Sequence, residues 1–249
     1  MKIMNILRSC LPYKLRYMIY KMGRVFLFRF ERFPSIEASL KILQEWGYTP
    51  VYAIDIGAYH GTWTKMFKEL FPDASILMLE AQKTKESMLR DVADKYSDVS
   101  YDIALLGAND GDVVSFVEME TGSSVFEEDS SYEREYVKKQ LVELDSLLKS
   151  HADFQQADFL KLDVQGYELE VLRGASSLLK SVEFVYMEVS LIPINKGCPD
   201  IHDVIVFMRE HGFCLLDFCS QTRRKDKALW QTDLMFISNT SAFRPKPTL

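Results

Sequence analysis

Three acidic side chains end predicted strands or follow them closely, and their positions are suited to proton transfer. Asp163 ends one apolar run, Glu188 ends the next, and Glu168 lies across a glycine turn from Asp163. Carboxylates that converge on one pocket raise one another's pKa, and a carboxylate with a raised pKa is suited to accept a proton from a hydroxyl group. We therefore predict that Asp163, and after it Glu188 and Glu168, acts as a general base or orients an acceptor.

Structural roles for the same residues remain open from sequence alone. Glu168 falls in the first turn of a predicted helix, where a carboxylate can cap free N–H groups. Lys161 lies two residues before Asp163, so both side chains project from one side of the strand and Lys161 can neutralise Asp163. A divalent metal held by Asp163 and Glu188 is chemically possible. No spacing requires one, and we predict no metal site.

A second group of residues has the spacing of a nucleoside-binding site. The apolar run VYAIDIG (51–57) leads into a loop whose glycines at 57 and 61 let the backbone approach a ligand closely. Glu80 ends the next strand, and a carboxylate there can accept hydrogen bonds from both hydroxyls of a ribose. Positions 57, 59 and 62 are Gly, Tyr and Thr rather than three glycines, which disfavours a dinucleotide-binding dehydrogenase. The predicted nucleoside-binding residues are Asp55, Gly57, Tyr59, Gly61, Glu80 and Asp102.

Strand and helix patterns alternate along the chain and would bring both groups to one edge of a sheet. Helical or turn patterns separate the apolar runs at 51–57, 75–80, 99–107, 158–164 and 183–190. This alternation predicts an α/β fold with a doubly wound, mostly parallel sheet. Ligands of such sheets bind beyond the carboxyl ends of the strands. The pattern at 140–148 is ambiguous between strand and helix.

The glycine loop followed by a strand-terminal acid resembles the nucleoside-binding half of the class I S-adenosylmethionine-dependent methyltransferases. The segment KLDVQGYELEVLRGA (161–175) resembles the characteristic segment of the FkbM-type methyltransferases. This similarity runs in order from about residue 50 to 238, and its further parts are DIGAYHGTWT (55–64), the Leu144-Asp145 pair, Glu188 and WQTDLMF (230–236). One departure is Tyr59, where the family usually has Asn. It affects side-chain contacts but leaves the backbone of the loop unchanged.

The resemblance implies a class I fold, whose mostly parallel sheet has an antiparallel last strand. It also implies methyl transfer from S-adenosylmethionine and usually an oxygen acceptor. Acceptors known for the family include sugar hydroxyls of glycans and glycolipids and hydroxyls of polyketides. We therefore expect S-adenosyl-L-methionine as the methyl donor and a carbohydrate or glycolipid as the acceptor. Two other functions remain open: a dehydrogenase of similar fold, which NAD would stabilise against heat, and a non-catalytic protein that binds no methyl donor.

Charge divides the chain into a basic arm and an acidic body. The net charge of −6 argues against a general nucleic-acid binder. Residues 1–32 contain eight Lys or Arg and one acid, which leaves 22 bases and 35 acids, a balance of −13, after Arg32. We predict a basic amphipathic arm at 1–34, a methyltransferase domain at 35–240 and a disordered tail at 241–249.

The arm has one apolar helical face, formed by Leu11, Leu15, Met18, Ile19, Met22, Val25 and Phe26. This face can lie on an anionic membrane surface or pack on the domain, and periodicity does not distinguish the two. Charges interrupt the segment too often for a secretory signal or a spanning helix. The four cysteines lack ligand spacing, which is typical of free thiols in a reducing compartment. We expect a cytoplasmic protein, with peripheral contact to the inner membrane surface as one option.

Three loops are predicted to surround the acceptor, at 120–136, 191–200 and 220–230. The last of them contains the basic residues Arg223, Arg224, Lys225 and Lys227. These residues can contact an acceptor phosphate or face solvent, and composition alone favours solvent. The sequence does not name the acceptor itself.

Overall fold

The computed structural model describes residues 34–117, 136–192 and 197–246. In chain order the strands are β1 (Tyr52–Ile56), β2 (Ser75–Glu80), β3 (Val99–Ile103), β4 (Leu105–Leu106), β5 (Val113–Val117), β6 (Tyr136–Val142), β7 (Phe159–Leu162), β8 (Phe184–Ser190), β9 (Phe213–Phe218), β10 (Thr222–Arg223) and β11 (Leu229–Ser238). The α-helices are α1 (Ile36–Glu45), α2 (Thr62–Leu70), α3 (Glu86–Lys95), α4 (Leu144–Leu147), α5 (Glu168–Arg173) and α6 (Ile201–Glu210).

The main sheet has the strand order β3-β2-β1-β7-β8-β11, and β9 and β10 both pair with the other side of β11. Strands β1, β2, β3, β7 and β8 run parallel, whereas β11 runs antiparallel to β8. The predicted sheet, mostly parallel with an antiparallel last strand, is therefore confirmed. The chain order reverses between β1 and β7, and ligands of such sheets bind at this kind of crevice.

Helices cover both faces of the main sheet because its central strands are apolar on both sides. In β2 the side chains of residues 76–80 are all buried, as expected for a parallel strand inside a sheet. On one face the helices α1, α2 and α3 pack through Leu40, Phe67 and Leu89. On the other face the helices α4, α5 and α6 pack through Leu144, Leu172 and Phe207.

Residues 99–107, predicted as one strand, are divided between two sheets. The backbone N–H of Ala104 still donates to the carbonyl of Glu80 (2.9 Å), but β4 pairs with β6 in a separate sheet ordered β4-β6-β5. Close packing accompanies the change, because a Cβ on Gly107 would lie 2.6 Å from Cδ1 of Leu141 in β6. The single-strand prediction was wrong because tertiary pairing decides where an apolar run is interrupted.

The ambiguous pattern at 140–148 contains the end of β6 and the whole of α4. The predicted arm at 1–34 lies outside the described residues except for Pro34, as does the predicted loop at 120–136 except for Tyr136. Among the residues that the structure describes, none of the helices is both long enough and apolar enough to cross a bilayer.

Candidate active site

The glycine loop after β1 lies against the end of β7. Gly57 has a φ of 73°, and a Cβ on this residue would lie 1.9 Å from the carbonyl oxygen of Asp163. Gly61 has a φ of 64° and precedes α2, and a Cβ there would lie 2.8 Å from Cγ2 of Val92. Both positions require glycine for conformation and for space. The missing side chains at Gly57 and Gly61 thus let the loop pack tightly against the end of β7 and against α3.

A buried ion pair between Lys161 and Asp55 supports the glycine loop. The Nζ of Lys161 lies 2.8 Å from Oδ1 of Asp55 and donates to the carbonyls of Ile56 (3.1 Å) and Gly57 (2.9 Å). The hydroxyl of Thr64 donates to the other oxygen of Asp55 (2.8 Å). Asp55 is fully buried, so its observed contacts hold the loop and the start of α2 in place.

The partner of Lys161 differs from the one that strand spacing suggested. Lys161 was a candidate counter-ion of Asp163, but its ion pair is with Asp55, which it faces across the β1–β7 pairing. Burial lowers the pKa of Lys161, whereas the charges of Asp55 and Asp163 raise it, and the net pKa is above the ordinary value. Lys161 is therefore positively charged, and its nearest carboxylate is that of Asp55.

Glu80 joins the glycine loop to the segment after β2. Its Oε2 accepts a hydrogen bond from the backbone N–H of Tyr59 (2.8 Å), and its Oε1 accepts one from that of Gln82 (2.9 Å). Each oxygen has a further lone pair, so the carboxylate retains capacity for ribose hydroxyls. Tyr59, with a φ of 50°, stacks on His60 at 3.7 Å between ring centroids, and Nζ of Lys85 lies 4.6 Å from its ring centroid. Tyr59 thus contributes a backbone N–H and a ring to this loop.

An apolar slot lies beside Glu80. Its lining comes from the ends of β1 and β2, the β3–β4 junction, the second sheet and the start of α5. The lining residues are Ile56, Ala81, Ala104, Leu105, Leu106, Phe116, Val164, Tyr167 and Val171. The slot encloses about 50 Å³, far less than the roughly 300 Å³ or more of a typical ligand pocket, and Ala81 in its lining directly follows Glu80 along the chain.

Asp102 is placed apart from the other predicted nucleoside-binding residues. It pairs with Leu79 in the β2–β3 register, so its side chain leaves the sheet on the face opposite to that of Glu80. Its Oδ1 accepts from the N–H of Ile103 (2.7 Å), and its Oδ2 lies 3.3 Å from Nε2 of His151. The role of Asp102 in binding a nucleoside stays a prediction.

Asp163 and Glu188 are brought together by one amide side chain. Nε2 of Gln165 donates to Oδ1 of Asp163 (2.9 Å) and to Oε1 of Glu188 (3.1 Å). Nε2 of Gln231 donates to the same Oε1 of Glu188 (2.9 Å). Gln165 has a φ of 55°, a left-handed conformation that is uncommon for a residue with a side chain. Asp163 and Glu188 therefore form one unit at the carboxyl edge of β7 and β8.

The third predicted acid, Glu168, holds the turn between β7 and α5. Its Oε1 accepts hydrogen bonds from the backbone N–H groups of Val164 (3.1 Å) and Gly166 (3.1 Å). Burial raises the pKa of Glu168 to about 7, against the opposing effect of these N–H groups. The contacts observed for Glu168 are thus structural, because they are hydrogen bonds to backbone N–H groups of the turn before α5.

Burial and neighbouring acids raise the pKa of Glu188. Burial is the largest cause, followed by the charges of Asp163, Asp233 and Glu168, and the pKa reaches about 8. Asp233 pairs with Glu188 across β8 and β11, and burial raises its pKa as well, while side-chain hydrogen bonds to Ser220 and Tyr186 lower it. At neutral pH Glu188 is thus mostly protonated. The described residues contain no group of three or more His, Cys, Asp or Glu side chains placed to hold a metal ion.

The site analysis from sequence missed Gln165, Gln231, Asp233 and Tyr186. Gln165 was inside the quoted segment at 161–175, but nothing in its spacing indicates an amide that contacts two carboxylates. Gln231 and Asp233 alternate with buried residues along β11, which is the available signal. Only the antiparallel pairing of β11 with β8 brings them to Glu188.

Comparison with known proteins gives a family match. The family model described as "Methyltransferase FkbM domain" matches residues 55–215. The FkbM methyltransferase structure from Methylobacillus flagellatus KT is 13% identical over 76% of this chain and 43% of that chain, with a TM-score of 0.48. Precorrin-6y C5,15-methyltransferase from Geobacter metallireducens GS-15 is 11% identical over 77% of this chain and 81% of that chain, with a TM-score of 0.45. The search of curated proteins found no match.

The family match includes all the residues that the sequence predicted for the site. It spans the glycine loop, Glu80, the Asp163–Glu188 pair and most of the main sheet, which is well over half of the 249 residues. The predicted resemblance is confirmed, and with it S-adenosylmethionine as the methyl donor. The chain belongs to the FkbM methyltransferase family and is an S-adenosylmethionine-dependent methyltransferase of class I fold.

Proposed function

We propose that this methyltransferase transfers its methyl group to a hydroxyl group of a sugar, in a glycan or a glycolipid. The observation that carries the proposal is the Asp163–Gln165–Glu188 unit. It lies at the carboxyl edge of the sheet, and the backbone of Asp163 contacts the glycine loop directly. A base beside the methyl donor is what an alcohol needs, because an alcohol is a poor nucleophile while it keeps its proton.

The residues around the glycine loop fit the methyl donor. When bound, S-adenosylmethionine supplies a methyl group on a positively charged sulfur that is a good leaving group. Gly57 lets the loop pack against the end of β7, and Glu80 has lone pairs for the ribose. The apolar slot that includes Ala81 and Ala104 offers a hydrophobic edge on which the adenine can pack. These residues bind and orient, and for methyl transfer orientation supplies much of the rate.

Asp163 and Glu188 have different tasks in this proposal. Glu188, with a pKa raised by burial to about 8, holds a proton at neutral pH and can donate a hydrogen bond to the acceptor. Asp163 then accepts the proton of the hydroxyl group as the methyl group is transferred.

The polar character of the surrounding residues favours a sugar over an apolar acceptor. Gln165, Gln231 and Ser190 are all half-buried around Glu188 or at the end of its strand, so they present amide and hydroxyl groups at the site. A sugar ring offers several hydroxyls to such groups, whereas a polyketide chain would desolvate them without hydrogen-bond partners.

The test is to incubate the protein with labelled S-adenosylmethionine and a glycan and glycolipid extract of its host. The expected result is label in a sugar O-methyl ether, located by mass spectrometry after hydrolysis. The control is the Asp163→Asn variant, which should bind the methyl donor and transfer little label. Label in a protein, a nucleic acid or a lipid acyl chain would contradict the proposal.

The proposed domain organisation places the methyltransferase at residues 35–240, after the basic arm at 1–34 and before a tail at 241–249. The matched family range, 55–215, lies inside this domain. A charge of +7 on residues 1–32, next to an acidic body, supports reversible contact with the anionic inner surface of a membrane by a cytoplasmic enzyme. Each Lys or Arg near such a surface contributes about 1 kcal/mol.

A vesicle sedimentation experiment tests the arm. The full chain should sediment with anionic vesicles at low salt but not with neutral vesicles. High salt should weaken this binding, because salt screens exposed charges. A variant that begins at Pro34 should keep its affinity for S-adenosylhomocysteine and lose the vesicles. If the arm packs on the domain instead, the truncated protein will be less stable and the full chain will ignore vesicles at any salt concentration.

A further inference from the structure

We propose that the turn between β10 and β11 binds a phosphate group carried by the acceptor, so that the enzyme's substrate is a phosphate-bearing glycan or glycolipid. This inference rests on the proposed function and adds the charge of the substrate to it. The segment concerned, called the basic hairpin below, consists of residues 222–227. From composition alone, these residues were expected to face solvent. Their position in the fold favours a role in binding the acceptor instead.

The basic hairpin lies at the same edge of the sheet as the Asp163–Glu188 pair. Strand β11 runs antiparallel to β8, so its first residues meet the carboxyl end of β8. Thr222 in β10 pairs with Gln231 in β11, and Nε2 of Gln231 donates to Glu188 (2.9 Å). One strand pairing and one hydrogen bond therefore join the hairpin to the carboxyl group of Glu188.

The basic hairpin contains four cations and one acid, all exposed. Arg224 forms an ion pair with Asp226, which leaves a charge of +3 on Arg223, Lys225 and Lys227. Within residues 34–117, 136–192 and 197–246, neither Lys225 nor Lys227 has an ion-pair partner. The chain after Arg32 carries −13 overall, so this local excess of positive charge is opposite in sign to the body that carries it.

The turn is held in one conformation by its own hydrogen bonds. The N–H of Arg224 donates to the carbonyl of Ala228 (3.0 Å), and that of Ala228 donates to Oδ1 of Asp226 (3.0 Å). Nη1 of Arg223 donates to the carbonyl of Lys227 (3.1 Å), and Lys227 itself has a φ of 71°. The turn thus has a defined backbone conformation and carries three cations, Arg223, Lys225 and Lys227, within five residues of sequence.

The positive charge of the basic hairpin suits an anionic substrate. At the acceptor site, Asp163 and Glu188 accept hydrogen bonds from the amides of Gln165 and Gln231, and among the described residues neither has a Lys or Arg ion-pair partner, so a phosphate finds no ready cation there. Cations at the rim attract the phosphate and hold it outside the pocket, while a neutral hydroxyl of the same molecule reaches Asp163. Arginine and lysine together suit this task, because arginine binds phosphate oxygens with two N–H groups and lysine acts as a compact charge. A neutral acceptor would gain nothing from the hairpin.

The test compares a hairpin variant with a matched control. The hairpin variant is Arg223→Gln/Lys225→Gln/Lys227→Gln, and the control is Lys149→Gln/Lys180→Gln/Arg209→Gln, which removes three exposed cations elsewhere. Inorganic pyrophosphate is titrated calorimetrically into the full chain with S-adenosylhomocysteine bound, at low and high salt. We expect the wild type and the control to bind pyrophosphate in a salt-sensitive manner and the hairpin variant to bind it at least ten-fold more weakly.

Activity on the host extract supplies the second measurement. Labelled product from the wild type should elute with the anionic fraction on an anion-exchange column, and the hairpin variant should show a raised KM with a nearly unchanged kcat.

Equal affinity of all three proteins for pyrophosphate, or label confined to neutral glycans, would overturn the inference while leaving sugar methylation intact. Hairpin-dependent binding of pyrophosphate without transfer to any glycan would instead overturn the proposed function and keep the phosphate site. If anionic vesicles bind through the hairpin and pyrophosphate does not, the phosphate belongs to a lipid surface and the inference about the substrate is wrong.

Discussion

The two halves of the site handle charge in opposite ways. Around the glycine loop, the buried carboxylate of Asp55 has a cation, Lys161, at 2.8 Å. Around the acceptor site, Asp163 and Glu188 contact amide N–H groups instead and form no ion pair with Lys or Arg among the described residues. Burial and mutual repulsion then raise the pKa of Glu188 to about 8. In the proposed function, the first half holds a fixed shape for the methyl donor and the second half moves a proton from the acceptor.

The largest effect should follow from displacing the glycine loop. In Gly57→Ala the new Cβ would lie 1.9 Å from the carbonyl oxygen of Asp163, so the loop must move away from β7. We expect loss of measurable S-adenosylhomocysteine binding by calorimetry. Gly47→Ala is the matched control, because Gly47 also has a positive φ (85°) but has nothing within 4 Å of its Cβ position. It should lose about 1–2 kcal/mol of stability and bind normally. Normal binding by Gly57→Ala would contradict the role of this loop.

Removing the charge of Asp163 should affect turnover alone. Asp163→Asn keeps the size of the side chain but cannot accept the proton, so we expect kcat to fall about 10²–10⁴-fold. Affinity for S-adenosylhomocysteine, measured by calorimetry, should change little. Near-normal turnover in Asp163→Asn together with an inactive Glu188→Gln would assign the base to Glu188. Loss of methyl-donor binding in both variants would make these acids structural.

Breaking the buried ion pair should affect stability more than chemistry. Lys161→Met leaves the charge of Asp55 buried without its partner, which costs about 3–5 kcal/mol of unfolding free energy. Denaturant unfolding followed by circular dichroism measures the loss. Lys41→Met is the control, because the Lys41–Glu37 pair is exposed at the surface and such pairs contribute about 0.2–1 kcal/mol. A similar small loss in both variants would show that the pair under the loop does not stabilise it.

Glu80 should contribute to methyl-donor affinity by a smaller amount. Glu80→Ala removes charge-assisted hydrogen bonds to the ribose, and we expect about 1.5–3 kcal/mol of weaker binding to S-adenosylhomocysteine. Glu86→Ala, six residues later on α3, is the control and should bind as the wild type does. Unchanged affinity in Glu80→Ala would remove Glu80 from the binding site and restrict its role to the N–H groups of Tyr59 and Gln82.

Stability should also depend on pH. The pKa of Glu188 is about 8 in the folded protein and near 4.5 when it is exposed to water. Between these values the folded state binds more protons than the unfolded state, so the free energy of unfolding falls as pH rises through this range. Glu188→Gln should show a flatter decline over the same range in thermal melts. An identical pH profile in the variant would mean that Glu188 is not the group that titrates.

The sequence predicted the half of the site that binds the methyl donor better than the acceptor half, for a physical reason. The glycine loop and Glu80 follow consecutive parallel strands, so their order along the chain is their order in space. Glu188 accepts hydrogen bonds from Gln165, which follows β7, and from Gln231 in β11, and both contacts depend on how these strands pair with β8. The partner of Lys161 was missed because spacing within a strand shows which face a side chain takes, not which neighbouring strand offers the nearest charge.

The register of β11 also suggests how this enzyme can be re-engineered. Seven residues of β11, from Gln231 to Ile237, pair in sequence with β8, and a slip by one residue would turn Gln231 and Asp233 to the other face. The turn at 224–227 lies beyond this paired segment, so its length and composition can vary without disturbing that alignment. If the turn binds the phosphate as proposed, a library of substitutions and insertions confined to it would alter substrate choice and leave the pairing of β8 with β11 unchanged. The turn is therefore a suitable target for directed evolution.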